Sequence, residues 1–314
     1  MRVIVTGAGG FIGSFLCEQL CRDGHEVIRI FRHLPDAAER TKFGEAIEAD
    51  VRSGSFPALV LPGDAVVHLA AANDIISKDG HAGLSLSILG TKNVLDFAVN
   101  NRIPRMIFFS TIQVLGSELA GEYSEDSAMR PENDYAANHA MAEIYTEMYA
   151  RRGLLQAVSI RPTNVYGHFA YPTINRWSLV PACLCREAFL NKTITIRSSG
   201  RQRRNFISVQ SVAKATSAIL TNFPASYDTV NLGSPLYMTI QEAARCVKQV
   251  YDELYDEPVR LTLQGEEPSQ ENRFHLSLSR LEERYGFREH LGAEDFRSQI
   301  SLLFQQLEHS PRSE

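Results

Sequence analysis

The chain has 314 residues, 44% hydrophobic and 22% charged, with a net charge of −5, proportions that suit a soluble α/β protein with one large domain and a smaller lobe. The mild acidity argues against nucleic acid as a partner, which calls for a basic face, and no run of about 18 apolar residues exists to span a membrane. Cys17, Cys21, Cys183, Cys185 and Cys246 form no C-x-x-C pair and no zinc-spaced Cys/His group, so no metal is expected and the thiols read as reduced, in a cytoplasmic protein without a signal peptide.

In chain order, residues 3–6 form a short apolar strand stopped by Gly7-Ala8-Gly9-Gly10. Residues 11–22 carry Phe11, Ile12, Phe15, Leu16 and Leu20 at helical spacing. Strands follow over 26–31, 45–51 and 65–69, then a helix over 83–101, a strand over 105–110, a helix over 135–152 and a strand over 156–161. This alternation predicts a doubly wound parallel sheet covered on both faces. Past Gly167 the pattern loosens. Trp177, Pro181 and the apolar stretch to Leu190 predict a helix in a different lobe. A helix over 206–220 and a strand over 229–232 are expected to return to the sheet. The division expected is a dinucleotide-binding domain over 1–167 plus 206–235, a substrate lobe over 168–205 and 236–308, and a frayed tail over 309–314.

Gly7, Gly10 and Gly13 stand between the first strand and the first helix. The first permits a tight turn, the second lets a pyrophosphate approach the backbone, and the third lets helix and strand pack closely. The helix N-terminus then offers amide donors and partial positive charge, around Phe11 and Ile12, to phosphate. Strand before and amphipathic helix after are the context that gives a glycine triplet meaning. The fold read from this is a Rossmann-type doubly wound α/β sheet with a smaller C-terminal α/β substrate lobe.

The Gly-x-x-Gly-x-x-Gly spacing resembles the extended short-chain dehydrogenase/reductases, the NAD-dependent epimerase/dehydratase family that modifies nucleotide sugars. Further matches are Asp50-Val51, His68-Leu69-Ala70-Ala71, Arg161-Pro162-Thr163-Asn164-Val165-Tyr166-Gly167, Arg204-Asn205-Phe206-Ile207 and Asn231-Leu232-Gly233. The resemblance covers nearly the whole chain. It implies cofactor contacts from Gly7, Gly10, Phe11, Ile12, Gly13, Asp50, Val51, Leu69, Ala70, Ala71, Tyr135, His139 and Pro162. The second strand ends Phe31-Arg32-His33 with no acid before Asp36. An NAD enzyme usually places an acid there for the ribose hydroxyls, whereas Arg32 suits a 2′-phosphate. NADP(H) is therefore expected over NAD(H).

Ser110-Thr111-Ile112-Gln113-Val114-Leu115-Gly116 resembles the family's S-[ST]-x-x-V-Y-G, which implies that Thr111 polarises the reacting oxygen. Tyr135-Ala136-Ala137-Asn138-His139 resembles Y-x-x-x-K, which makes Tyr135 the proton carrier and puts His139 where the family has lysine. Residues four apart share a helix face. An ammonium there would typically lower a tyrosine pKa by about 1–3 units, and a histidine, mostly neutral at pH 7, does so less. Oxidising a sugar hydroxyl needs the phenol as a base, and reducing a ketone needs it as an acid. His139 thus favours a 4-ketoreductase over a 4-epimerase, with a dinucleotide-binding regulatory protein of impaired catalysis as the further alternative. Ile112-Gln113 replaces the Asp-Glu pair of the 4,6-dehydratases. On the substrate side the resemblance implies Asn164, Arg204 and Arg273 near a nucleotide diphosphate, with His168 lining the pocket. It also implies a homodimer through the helices near 83–101 and 135–152.

Overall fold

Seven short strands, β1 (Arg2–Thr6), β2 (Glu26–Phe31), β3 (Glu45–Glu48), β4 (Ala65–His68), β5 (Arg105–Phe109), β6 (Gln156–Pro162) and β7 (Tyr227–Leu232), lie parallel in the order β3-β2-β1-β4-β5-β6-β7. The computed structural model describes residues 1–265 and 273–309. Alternation along β1 explains the layering. Val3 and Val5 join a core with Phe15, Leu16 and Val212 on one face. Ile4 joins Val94, Leu95 and Phe97 on the other. The first core is continuous with side chains of helices Val180–Asn191, Ile240–Tyr255 and Ala293–His309. A parallel pair, Thr193–Ile196 with Arg260–Leu263, accompanies these helices.

The order in which successive strands are added reverses between β1 and β4, parallel neighbours near the centre of the sheet, where Thr6 faces His68. Such a switch point leaves a crevice beyond the strands' carboxyl ends. The Gly7 loop leaves β1 there, and Leu69 to Asp74 leave β4 there. Among the described residues, no helix is long and apolar enough to cross a membrane.

Three predicted elements differ in the structure. Residues 206–208 are not helical: Arg203–Ser208 is a strand, parallel to Asn164–Tyr166 and antiparallel to Tyr237–Thr239. Its Phe206 and Ile207 favour a pleated conformation. Ser208 then caps helix Val209–Thr221, its hydroxyl accepting from the Ser211 amide at 3.1 Å. The strand over 45–51 ends at Glu48, because residues 50–53 turn, with Ser53 N donating to Asp50 O. The helix over 83–101 begins at Gly80, capped by Asp79, and passes through a π-helical turn, Ser85–Leu89. His309 is the last residue of helix Ala293–His309; residues 310–314 of the expected tail lie outside the described residues.

Candidate active site

The crevice at the switch point is a cleft of about 530 Å³. Of the residues singled out from sequence, Gly7, Gly10, Phe11, Ile12, Gly13, Leu69, Ala71, Thr111, Tyr135, His139, Pro162, Asn164 and Arg204 line it.

Its floor is the glycine loop. Gly7 sits at φ +72, and a Cβ there would come within 2.9 Å of Ala70 N. A Cβ on Gly13 would meet the Gly7 carbonyl oxygen at 2.2 Å, so only glycine lets helix Phe11–Arg22 start this close to β1. Gly10 is different, since its nearest neighbour would stand at 3.2 Å. The first helical bond runs from Ser14 N to Gly10 O, so the amides of Phe11, Ile12 and Gly13 precede the helix ladder. These donors and the helix dipole fit a dinucleotide pyrophosphate.

His68 anchors the wall beside this loop. Its Nδ1 meets the Thr6 hydroxyl at 2.6 Å and its Nε2 the Thr91 hydroxyl at 3.1 Å. Burial pushes its pKa down to about 3, so the ring is neutral and ties β1, β4 and helix Gly90–Asn100 together. Ser87 accepts from Ala72 N at 2.9 Å and fixes the same loop.

Thr111 follows β5 and caps a 3₁₀ turn, Ile112–Leu115. Tyr135 opens helix Asp134–Arg151, whose N-cap Asn133 accepts from Ala136 N at 2.9 Å. Two competing effects act on the phenol. Burial raises its pKa, and the Thr111 hydroxyl, hydrogen-bonded to it, partly offsets this; the net shift is upward from 10. His139 is 4% exposed, its ring centroid 4.4 Å from that of Tyr135. Its Nδ1 lies 2.8 Å from the Tyr135 carbonyl oxygen. A carbonyl only accepts, so Nδ1 carries the hydrogen. Burial lowers the His139 pKa to about 4, and the neutral ring leaves Nε2 as an acceptor, the reverse of an ammonium. Ser110 Oγ, also in the cleft wall, is buried without a hydrogen-bond partner among the described residues.

A buried ion pair holds this helix on the sheet. Arg161 of β6 is clamped onto Glu143, with side chains 3% and 1% exposed, and its third nitrogen donates to Glu125 O at 3.1 Å. The opposite wall carries Asn164, which donates to Asn205 O at 2.9 Å, and Arg204, which donates to Ser117 O at 2.9 Å. Sequence reasoning passed over Asp74 and Arg176. They pair at 3.2 Å and both line the cleft. Asp74 closes the stretch opened by His68-Leu69-Ala70-Ala71; Arg176 sits in a segment without periodicity.

Other predicted residues lie apart. His168 does not line the cleft: its ring stands edge-on to Phe15 at 5.1 Å and its Nδ1 meets Gln299 Oε1 at 2.9 Å, so it packs helix Phe11–Arg22 against helix Ala293–His309. Arg273 is exposed, one residue before Phe274, which does line the cleft. Arg32 is exposed at the end of β2, with its charge felt by Asp50. Asp50 is gripped by Arg52 at 2.5–3.0 Å. Val51 is buried, its carbonyl accepting from Asn93 at 2.8 Å. Ala70 packs on Gly7 behind the cleft.

Residues 3–233 match the model of the NAD dependent epimerase/dehydratase family. The mouse protein dTDP-D-glucose 4,6-dehydratase is 27% identical over 271 residues, covering 82% of this chain and 74% of that protein. Among solved structures, MoeE5 in complex with UDP-glucuronic acid and NAD superposes with a TM-score of 0.82 at 23% identity, over 99% of this chain and 100% of that one. UDP-glucose 4-epimerase of Thermotoga maritima with UDP-glucose superposes at 0.83 and 19% identity, over 98% and 99%. At these identities the structures establish a shared fold.

Proposed function

The chain belongs to the NAD dependent epimerase/dehydratase family, and from that premise we propose that it reduces the 4-keto group of a nucleoside-diphosphate sugar. The observation that carries this is a protonated phenol, Tyr135, set beside a hydroxyl, Thr111, with a neutral His139 where a cation is usual. Bound NADPH would supply hydride to the carbonyl carbon. Thr111 donates to the carbonyl oxygen, and Tyr135 hands its proton to the same oxygen as negative charge builds there. Reduction begins from the neutral phenol, the state this site favours. Asn164 and Arg204 would hold the diphosphate; a guanidinium fork suits that group. The resemblance places Ile112 and Gln113 where a 4,6-dehydratase has two acids, which speaks against that elimination.

A second reading, 4-epimerisation, is favoured by the likeness to UDP-glucose 4-epimerase. For the cofactor we propose NADP(H) over NAD(H), on exposed Arg32 at the end of β2, where an NAD enzyme usually carries an acid; the MoeE5 structure carries NAD. We also propose a cytoplasmic homodimer. Free cysteines throughout suit a reducing compartment, and exposed Leu84, Leu89, Met141, Ile144 and Met148 form an apolar surface on two adjacent helices.

The test is incubation of the purified protein with UDP-, dTDP- and GDP-linked 4-keto sugars and either reduced cofactor. Substrate-dependent oxidation of NADPH, faster than of NADH, is expected. Interconversion of 4-epimers without added reductant would replace the reductase by the epimerase. Tight NADPH binding with no turnover would indicate a binding protein.

A further inference from the structure

Among the described residues lining the cleft, the cationic side chains are Arg176 and Arg204 and the one acid is Asp74. Arg204 is committed to Ser117 O across the substrate wall. Arg176 comes from the segment before helix Val180–Asn191 and Asp74 from the loop after β4. They meet at 3.2 Å, with side chains 21% and 53% exposed. We propose that this ion pair sets the acidity of Tyr135: Arg176 is the positioning cation that helix Asp134–Arg151 does not supply, and Asp74 is the counter-charge that holds it in check.

The groups that bear on the phenol come from every side. His139, on its own helix, is neutral and has spent its hydrogen on a backbone carbonyl. Thr111, from the β5 side, donates a hydrogen bond and carries no charge. Arg176 pulls the phenol pKa down and Asp74 pushes it up. Arg176 pulls harder than Asp74 pushes, so the intact pair holds the phenol below the pKa that burial alone would give. The pair joins the two walls of the cleft, so a ligand that parts them changes the charge Tyr135 feels.

The proposal rests on Tyr135 as the proton-moving group, and its test does not require a substrate. In the full-length protein labelled with ¹³Cζ-tyrosine, the Tyr135 resonance is identified by its loss in Tyr135→Phe. Asp74→Asn, which frees Arg176, should lower its titration midpoint by about half a pH unit, and Arg176→Gln should raise it; the size is reduced by exposure of the pair. Arg176→Lys should stay near the wild type. Opposite shifts support the pair as the control. Shifts in one direction, or none, overturn it even if the enzyme turns over nucleotide sugars. Failure to turn over any sugar leaves the titration result standing and removes only the reductase reading.

Discussion

The imidazole of His139 donates from Nδ1 to the carbonyl of Tyr135, one helical turn back, at 2.8 Å. The histidine is thereby fixed as a neutral acceptor packed against the phenol it would otherwise charge. Replacing it with lysine, His139→Lys, should restore a cation on the Tyr135 face. The phenol pKa should fall by about 1–2 units, and oxidation of a 4-hydroxy sugar by NADP should speed up near neutral pH. The pH–rate profile in the oxidative direction checks this. An unchanged alkaline limb would mean that position 139 does not act on Tyr135.

Acid should weaken the fold through two histidines. His139 has a native pKa of about 4 and His68 of about 3, both below the ordinary 6.5. Between those values and 6.5 the unfolded chain binds more protons, so stability rises with pH. It is fully present above 6.5 and is lost as pH falls toward 4, at up to about 1.4 kcal/mol per pH unit for each histidine. Urea midpoints from pH 7 to pH 4.5 should show this slope, and His139→Phe should roughly halve it. A variant with the wild-type slope would refute the assignment.

The two inner glycines should separate fold from binding. Gly13→Ala drives a methyl to 2.2 Å from the Gly7 carbonyl oxygen, and overpacking of this kind costs about 1–3 kcal/mol or more. Its melting temperature and its affinity for dinucleotide should both fall. Gly10→Ala meets only a 3.2 Å contact; it should melt near the wild type yet bind dinucleotide poorly, because its methyl stands where the pyrophosphate approaches. Equal loss of stability in both would contradict this division.

Which features were legible in sequence follows from how local each signal is. The glycine loop was readable because its spacing is set within one turn, and Thr111 and Tyr135 through resemblance to short family motifs; the structure gathers them in one cleft. The strand at Arg203–Ser208 was missed because its partners, Asn164–Tyr166 and Tyr237–Thr239, lie about forty residues before it and thirty after it, and pairing at that range leaves no local period. His168 was misplaced because a motif position says nothing of rotamer, and Gln299, which turns it away, is 131 residues off. The Asp74–Arg176 pair is likewise a contact made only by folding.

Arg161, the first residue of the family-like stretch Arg161-Pro162-Thr163-Asn164-Val165-Tyr166-Gly167, serves the scaffold. Its guanidinium and Glu143 are almost fully buried, so Glu143→Ala should strand a charge and cost about 3–5 kcal/mol. The combined Arg161→Met, Glu143→Leu variant should recover most of this, since neither charge is then left buried. Urea denaturation measures both. A single variant costing under about 1 kcal/mol would show that Arg161 finds its partners elsewhere.

The proposed dimer makes the sharpest demand on the surface. Met141, Ile144 and Met148 follow one another at three- and four-residue spacing on helix Asp134–Arg151, and exposed Leu84 and Leu89 belong to the helical segments Gly80–Leu84 and Ser85–Leu89 that pack against it. A closed two-fold contact would bury this patch against itself. Introducing like charges at Leu89 and Ile144 together, both as glutamate, places each beside its symmetry mate and should give a monomer by sedimentation velocity. The residues are exposed in the single chain, so the variant's own fold should change by no more than about 0.5 kcal/mol. A wild-type protein that sediments as a monomer, or a double variant that still dimerises, would move the interface off these helices.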